Sequence, residues 1–174
     1  PHIDARTMEI HHTKHHLAYL TNLKKYIDAN ALEKSKPTAN QSDLVVEPNF
    51  EVYRNALILC KDLSLVAAEF RDAVRNNAGG HVNHTWFWQW MAPAGSAGTG
   101  PSGKLAEAIQ STFGSMDDFK KAFGEAGTKR FGSGWAWLIQ KADGKLAITS
   151  TPNQDNPLMK GIVADSDLGT PLLG

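Results

Sequence analysis

The chain is poor in several things that would otherwise define a protein class. It has one cysteine, Cys60, in 174 residues, which excludes an internal disulfide framework and suits a reducing compartment. Cys60 ends the apolar run Ala56-Leu57-Ile58-Leu59 and reads as core rather than as a reactive thiol. Neither charge sign is in excess: 18 Lys and Arg balance 18 Asp and Glu. No basic tract interleaves with aromatics, so nucleic acid is not an expected partner. No apolar run approaches the roughly 18–20 residues a membrane span needs, so no membrane partner is expected either. No signal peptide is visible. Histidine is absent after residue 84, which limits any imidazole chemistry to the first half.

What is present is histidine, concentrated. Five of the seven fall in His2–His16, four of them in His11-His12-Thr13-Lys14-His15-His16. The other two, His81 and His84, precede the aromatic run Trp86-Phe87-Trp88-Gln89-Trp90. On a regular helix His11 and His15 lie about 40° apart on one face, with Tyr19 one turn further on. His12 and His16 form a second such pair, turned about 100° away, so all four cannot face one ion. Neutral imidazole is a common metal ligand, and either pair could chelate. The plainer reading is a polar helix face that has accumulated histidines. His81 and His84 share a face three residues apart, either as ligands or as core histidines bonded to carbonyls. The tryptophans beside them form an apolar wall, usable as core or as the dry lining of a metal site.

Hydrophobic spacing predicts a helix over 5–32, with Met8, His11, His15, Tyr19, Leu23 and Tyr26 at three- and four-residue steps. Residues 34–49, with Pro37 and Pro48, read as a loop or insertion. A second helix over 50–77 presents Tyr53, Ala56, Leu57, Cys60, Leu63, Ala67 and Phe70, and stops at Gly79-Gly80. The two segments make a helical hairpin, and a short third helix carries His84 to Trp90. The Gly/Ser/Pro-rich stretch 93–103 is the best linker. Helices follow near 104–113 and 116–126, the second capped by Ser115. Strands are expected at 135–139 and 146–149, turned by Asp143-Gly144. The expected fold is α+β: an N-terminal helical hairpin domain, 1–92, followed by an α/β domain with a small antiparallel sheet, 93–174.

Five collinear stretches carry a resemblance. They are Pro1-His2-Ile3, Met8 through Tyr19, Asn76-Asn77-Ala78-Gly79-Gly80-His81-Val82-Asn83-His84, Phe131 through Leu138, and Asn153-Gln154-Asp155. Together they resemble the iron/manganese superoxide dismutase family. The resemblance implies dismutation of superoxide at a mononuclear metal, manganese or alternatively iron. It assigns His11 and His84 as metal ligands and His15 and Tyr19 as the pair gating the substrate funnel. Gln154 corresponds to the glutamine that hydrogen-bonds metal-bound solvent, Asn83 to a residue that positions the surrounding network, and Trp88 and Trp135 to aromatic walls. Iron-type members usually draw that glutamine from the position of Gly80, so Gly80 with Gln154 resembles the manganese type. Lys14, Lys24 and Lys25 could steer an anionic substrate or simply form a solvated helix face.

The family's third and fourth ligands lie in an Asp-x-Trp-x-His segment, for which residues 1–174 hold no counterpart. Asp155, Asp165 and Asp167 stand outside that motif and are expected to be solvated loop carboxylates. The expectation is therefore a truncated member of the family. Two other readings stay open, a non-catalytic relative serving as a structural subunit and a helical zinc-binding protein using His11, His15, His81 and His84. The resemblance further implies a homodimer or homotetramer in the cytoplasm or the mitochondrial matrix.

Overall fold

A computed structural model describes residues 3–30, 48–93, 95–96, 98 and 100–174. Most of the expected 34–49 loop therefore lies outside the described residues. The chain divides into two compact units, Pro1–His84 and Thr85–Gly174. Among the described residues no helix is long and apolar enough to cross a membrane.

The first unit is helical. Asp4 caps α1 (Ala5–Ile10), its carboxylate accepting from the Thr7 amide at 2.9 Å and the Thr7 hydroxyl at 2.6 Å. The chain then widens into a π-helical turn, His11–His16, before resuming as α2 (Leu17–Asn30). This corrects the expectation of one regular helix, and it changes which side chains share a face. Pro48, expected in the loop, instead opens α3 (Pro48–Lys61). Proline suits a first helical turn, where its missing N–H has no intrahelical acceptor to satisfy. The helix ends well before residue 77, because Asp62 accepts from the Ser64 amide and hydroxyl and starts a 3-10 turn over Leu63–Leu65. A second 3-10 turn, Ala68–Phe70, leads into α4 (Arg71–Trp90). Leu23, Ala56, Leu59, Cys60, Val74, Ala78 and Val82 are buried in this unit.

Gly79 and Gly80 do not stop a helix. They lie buried inside α4, and the expected short third helix is the second half of that same element. A glycine weakens a helix interior by only about 1 kcal/mol, which packing readily offsets. The packing reason is visible at Gly80. A Cβ there would fall 2.5 Å from two ring carbons of Tyr19, so the helix can pass that ring only without a side chain.

The second unit follows the sequence closely. α5 (Gly103–Phe113) ends at Gly114, whose φ is +86°. Ser115 caps α6 (Met116–Lys129) by accepting from the Asp118 amide at 3.0 Å. β1 (Gly134–Gln140) and β2 (Leu146–Pro152) pair antiparallel, from Gly134 opposite Pro152 to Gln140 opposite Leu146. Their turn closes through Gly144, at φ +83°, whose amide donates to the Lys141 carbonyl at 2.9 Å. A third strand, β3 (Thr170–Leu173), was not expected; it pairs with the free edge of β1 to give the order β2-β1-β3. Ile109, Phe119, Leu138 and Leu146 form the core between helices and sheet, with Phe113, Phe123 and Leu172 packed against it. Fully burying such side chains contributes about 1.5–3 kcal/mol each.

Candidate metal centre

The π turn and α4 bring a set of imidazoles together in the first unit. His84 is 2 % exposed, and its Nδ1 donates to the Gly80 carbonyl, one turn earlier, at 2.8 Å. That bond places the ring proton on Nδ1 and leaves the Nε2 lone pair pointing outward. His84 Nε2 lies 2.9 Å from His11 Nε2. Two nitrogens, each about 2.0–2.1 Å from one ion and at right angles about it, stand about 2.8–3.0 Å apart. The separation suits a shared cation as well as a shared proton.

His15 completes a cluster in which one ligand nitrogen each from His11, His15 and His84 lie within 4.8 Å of one another. Its ring meets those of His11, His84 and Tyr19 edge-on, at centroid distances of 5.1, 5.0 and 5.0 Å. His15 is exposed, His11 and Tyr19 half-buried. His15 is therefore the outermost ring of the cluster and His84 the most deeply buried.

His16 is placed differently from the expectation. Counting 100° per residue turns it away from His11, yet its ring stacks on His84 at 5.5 Å and 25°. The π turn is the cause: its i to i+5 hydrogen-bond register brings His16 beneath the face that holds His11. His16 Nε2 also lies 2.9 Å from Nδ1 of the buried His81, whose ring meets Tyr53 at 6.2 Å. His12 stays exposed, with its ring 6.0 Å from that of His16.

Burial dominates the electrostatics. Desolvation, and then the neighbouring imidazoles, hold His84 down at about 4. Desolvation holds His16 and His81 at about 4 as well. His11 is lowered too, first by burial and then by His15. At neutral pH these rings are uncharged, the form in which imidazole offers a lone pair to a metal.

The remaining expected residues fall in two places. Asn83 lies fully buried on α4, beside His84. Trp88, Trp135 and Gln154 belong to the second unit. There Trp135 Nε1 donates to Gln154 Oε1 at 3.1 Å, and Phe87 meets the rings of both Trp88 and Trp135. Gln154 sits on a turn held by its neighbour. Asn153, at φ +49°, donates its amide to the Ser133 carbonyl and accepts the Ser133 hydroxyl at 2.7 Å. Asp155 is 4 % exposed rather than solvated, because its carbonyl accepts the Thr151 hydroxyl, which in turn accepts Trp137 Nε1. Asp167 is also not a free surface carboxylate: it accepts the Thr149 hydroxyl at 2.5 Å, while Asp165 is exposed as expected.

An imidazole set of this kind suits a first-row transition metal and does not choose between manganese and iron. Residues 1–92 match the alpha-hairpin domain of iron/manganese superoxide dismutases, and residues 101–174 match the C-terminal domain of the same family. The chain is 47 % identical over 159 residues to superoxide dismutase [Mn] 3 of Leptolyngbya boryana, an alignment covering 91 % of this chain and 58 % of that one. It is 47 % identical over its whole length to superoxide dismutase [Mn] of Acinetobacter baylyi, covering 65 % of that protein. It is 45 % identical over its whole length to superoxide dismutase [Fe] of Raoultella planticola, covering 85 % of it. The chain thus spans about three-fifths of the length of the first curated relatives it matches. On matched domains that cover nearly all its residues, the chain belongs to the iron/manganese superoxide dismutase family.

Proposed function

We propose that this chain carries the helical half of a superoxide dismutase site, with His11 and His84 as metal ligands. The carrying observation is the 2.9 Å separation of their Nε2 atoms, together with the Gly80 carbonyl that fixes the His84 tautomer. A bound manganese or iron would supply a one-electron cycle, by which two superoxide anions and two protons give dioxygen and hydrogen peroxide.

The chain's own residues do the rest. Burial keeps His11 and His84 neutral, so binding needs no proton removed at neutral pH. His15 and Tyr19 stand at the accessible side of His84, where the phenolic hydroxyl and the exposed imidazole can pass protons and restrict the opening to small anions. By the family resemblance alone, Asn83, Trp88 and Trp135 would order and dry the surroundings of a bound metal, and Gln154, whose Oε1 accepts Trp135 Nε1, would be the glutamine that tunes it. The absence of room for a side chain at residue 80 supports the manganese-type arrangement, with Gln154 as the source of the glutamine. Assembly as a homodimer or homotetramer, and a cytoplasmic or mitochondrial-matrix location, rest on the family resemblance, and the free, buried Cys60 suits the reducing compartments among these.

The test is reconstitution of the purified protein with Mn(II) or Fe(II), followed by direct measurement of superoxide decay. Catalysed decay that yields peroxide and is lost on chelation supports the reading. Uptake of Mn(II) or Fe(II) that is unchanged when His11 and His84 are both replaced by alanine overturns it, and uptake confined to zinc favours the zinc-binding alternative.

A further inference from the structure

One pair of histidines takes no part in the ligand set, yet it is built against it. The His16 ring, carried on the π turn, lies nearly parallel to that of His84 on α4, at 25° and 5.5 Å. Its Nε2 is engaged at 2.9 Å by Nδ1 of His81, one turn before His84 on α4. His81 is in turn 5 % exposed and contacts Tyr53 of α3 edge-on. His16 is thus anchored at its tip and presents its face to the ligand. His84 Nδ1 donates to the Gly80 carbonyl, and its ring meets those of His11 and His15 edge-on. Those contacts bear on the edges of the imidazole; a flat neighbour, itself anchored, bears on its face and restrains its tilt.

We propose that His16 is a positioning residue for His84, its ring acting as a backing plate whose orientation is set by the hydrogen bond to His81. The proposal rests on the reading of His84 as a metal ligand. Residues that orient a ligand from behind typically change metal affinity about 10–100-fold when removed. His16 reaches this position only through the π turn, so the widened helix and the plate are parts of one device.

Two variants of the full chain test it, with two readouts. His16→Ala removes both plate and anchor, while His16→Phe restores a ring face without the hydrogen bond. Bound Mn(II) is followed by electron paramagnetic resonance, and the Nδ1–H of His84 by 15N-resolved NMR of the metal-free protein. The expected result for His16→Ala is about tenfold weaker Mn(II) binding, an altered zero-field splitting, and broadening of the His84 Nδ1–H signal. His16→Phe should recover part of each. A wild-type spectrum, affinity and Nδ1–H signal in His16→Ala would overturn the proposal, and so would recovery no better in His16→Phe than in His16→Ala. If the unmodified protein takes up no Mn(II) or Fe(II), the metal reading fails by itself. The NMR comparison then still decides whether His16 holds His84.

Discussion

Gly80 and Tyr19 share one space: the glycine's missing side chain is where the phenol ring lies, with ring carbons 2.5–2.7 Å from the position a Cβ would take. Gly80→Ala must displace that ring or bend α4. Overpacking of this kind costs about 1–3 kcal/mol. Urea denaturation should show a loss in that range, and Tyr19→Ala in the same chain should remove most of it. A Gly80→Ala variant as stable as the parent would mean the ring moves freely.

Tyr19→Phe tests the other end of the same contact. The ring face against Gly80 remains and only the hydroxyl goes. Metal content should be unchanged, while superoxide turnover falls or becomes limited by proton delivery. Loss of the metal in this variant would give the hydroxyl a structural role instead.

His84→Ala removes a proposed ligand and the acceptor-oriented ring together. Because ligand-orienting residues alone are worth about 10–100-fold, losing the ligand should weaken metal binding by more than about 100-fold. Metal analysis after dialysis is the measurement, and full occupancy in the variant would defeat the assignment.

The depressed histidines predict how stability follows pH. His16, His81 and His84 are held at about 4 in the folded chain against an ordinary value of 6.5. Between those values the unfolded chain binds more protons than the folded one, so stability falls as pH is lowered. The metal-free protein should be at full stability above about pH 6.5 and lose it progressively toward pH 4. Denaturant midpoints across this range are the check. His16→Phe should flatten the slope, because it removes one of the three titrating rings.

Asn153 is the only non-glycine residue with positive φ among the described residues, and it pins Ser133 through both backbone and side chain. Asn153→Ala keeps the amide bond to Ser133 but loses the side-chain acceptor and strains the left-handed backbone, at about 1–2 kcal/mol. Asn153→Gly should recover the backbone part. Fluorescence of Trp135, whose indole reaches Gln154 beyond that turn, should shift in the alanine variant.

The second unit was largely legible in the sequence because its signals are local. Ser115 marks a helix start and Asp143-Gly144 a turn, and each acts where it stands. β3 escaped because its four residues, Thr-Pro-Leu-Leu, have no period and gain strand structure only from the open edge of β1. In the first unit Gly79-Gly80 looked like a helix stop. Glycine there answers to a ring more than sixty residues earlier, and no local pattern encodes that. The pairing of His11 with His84 was readable through family resemblance. The place of His16 was not, because a face assignment at 100° per residue assumes the very regularity that the π turn breaks.

That broken regularity makes chain length itself a variable of the site. The widened turn amounts to one residue inserted into a helix and absorbed there, so that the helix beyond it keeps its phase. Deleting a single residue such as Thr13 would let an ordinary helix form in which Leu17 and Tyr19 keep their phase relative to Ile10, so the rearrangement would fall on the histidines inside the turn. A deletion that improves the local helix would therefore change how His15 and His16 are set against His11, and length variation between Ile10 and Leu17 should be harder to accommodate than substitution at the same positions.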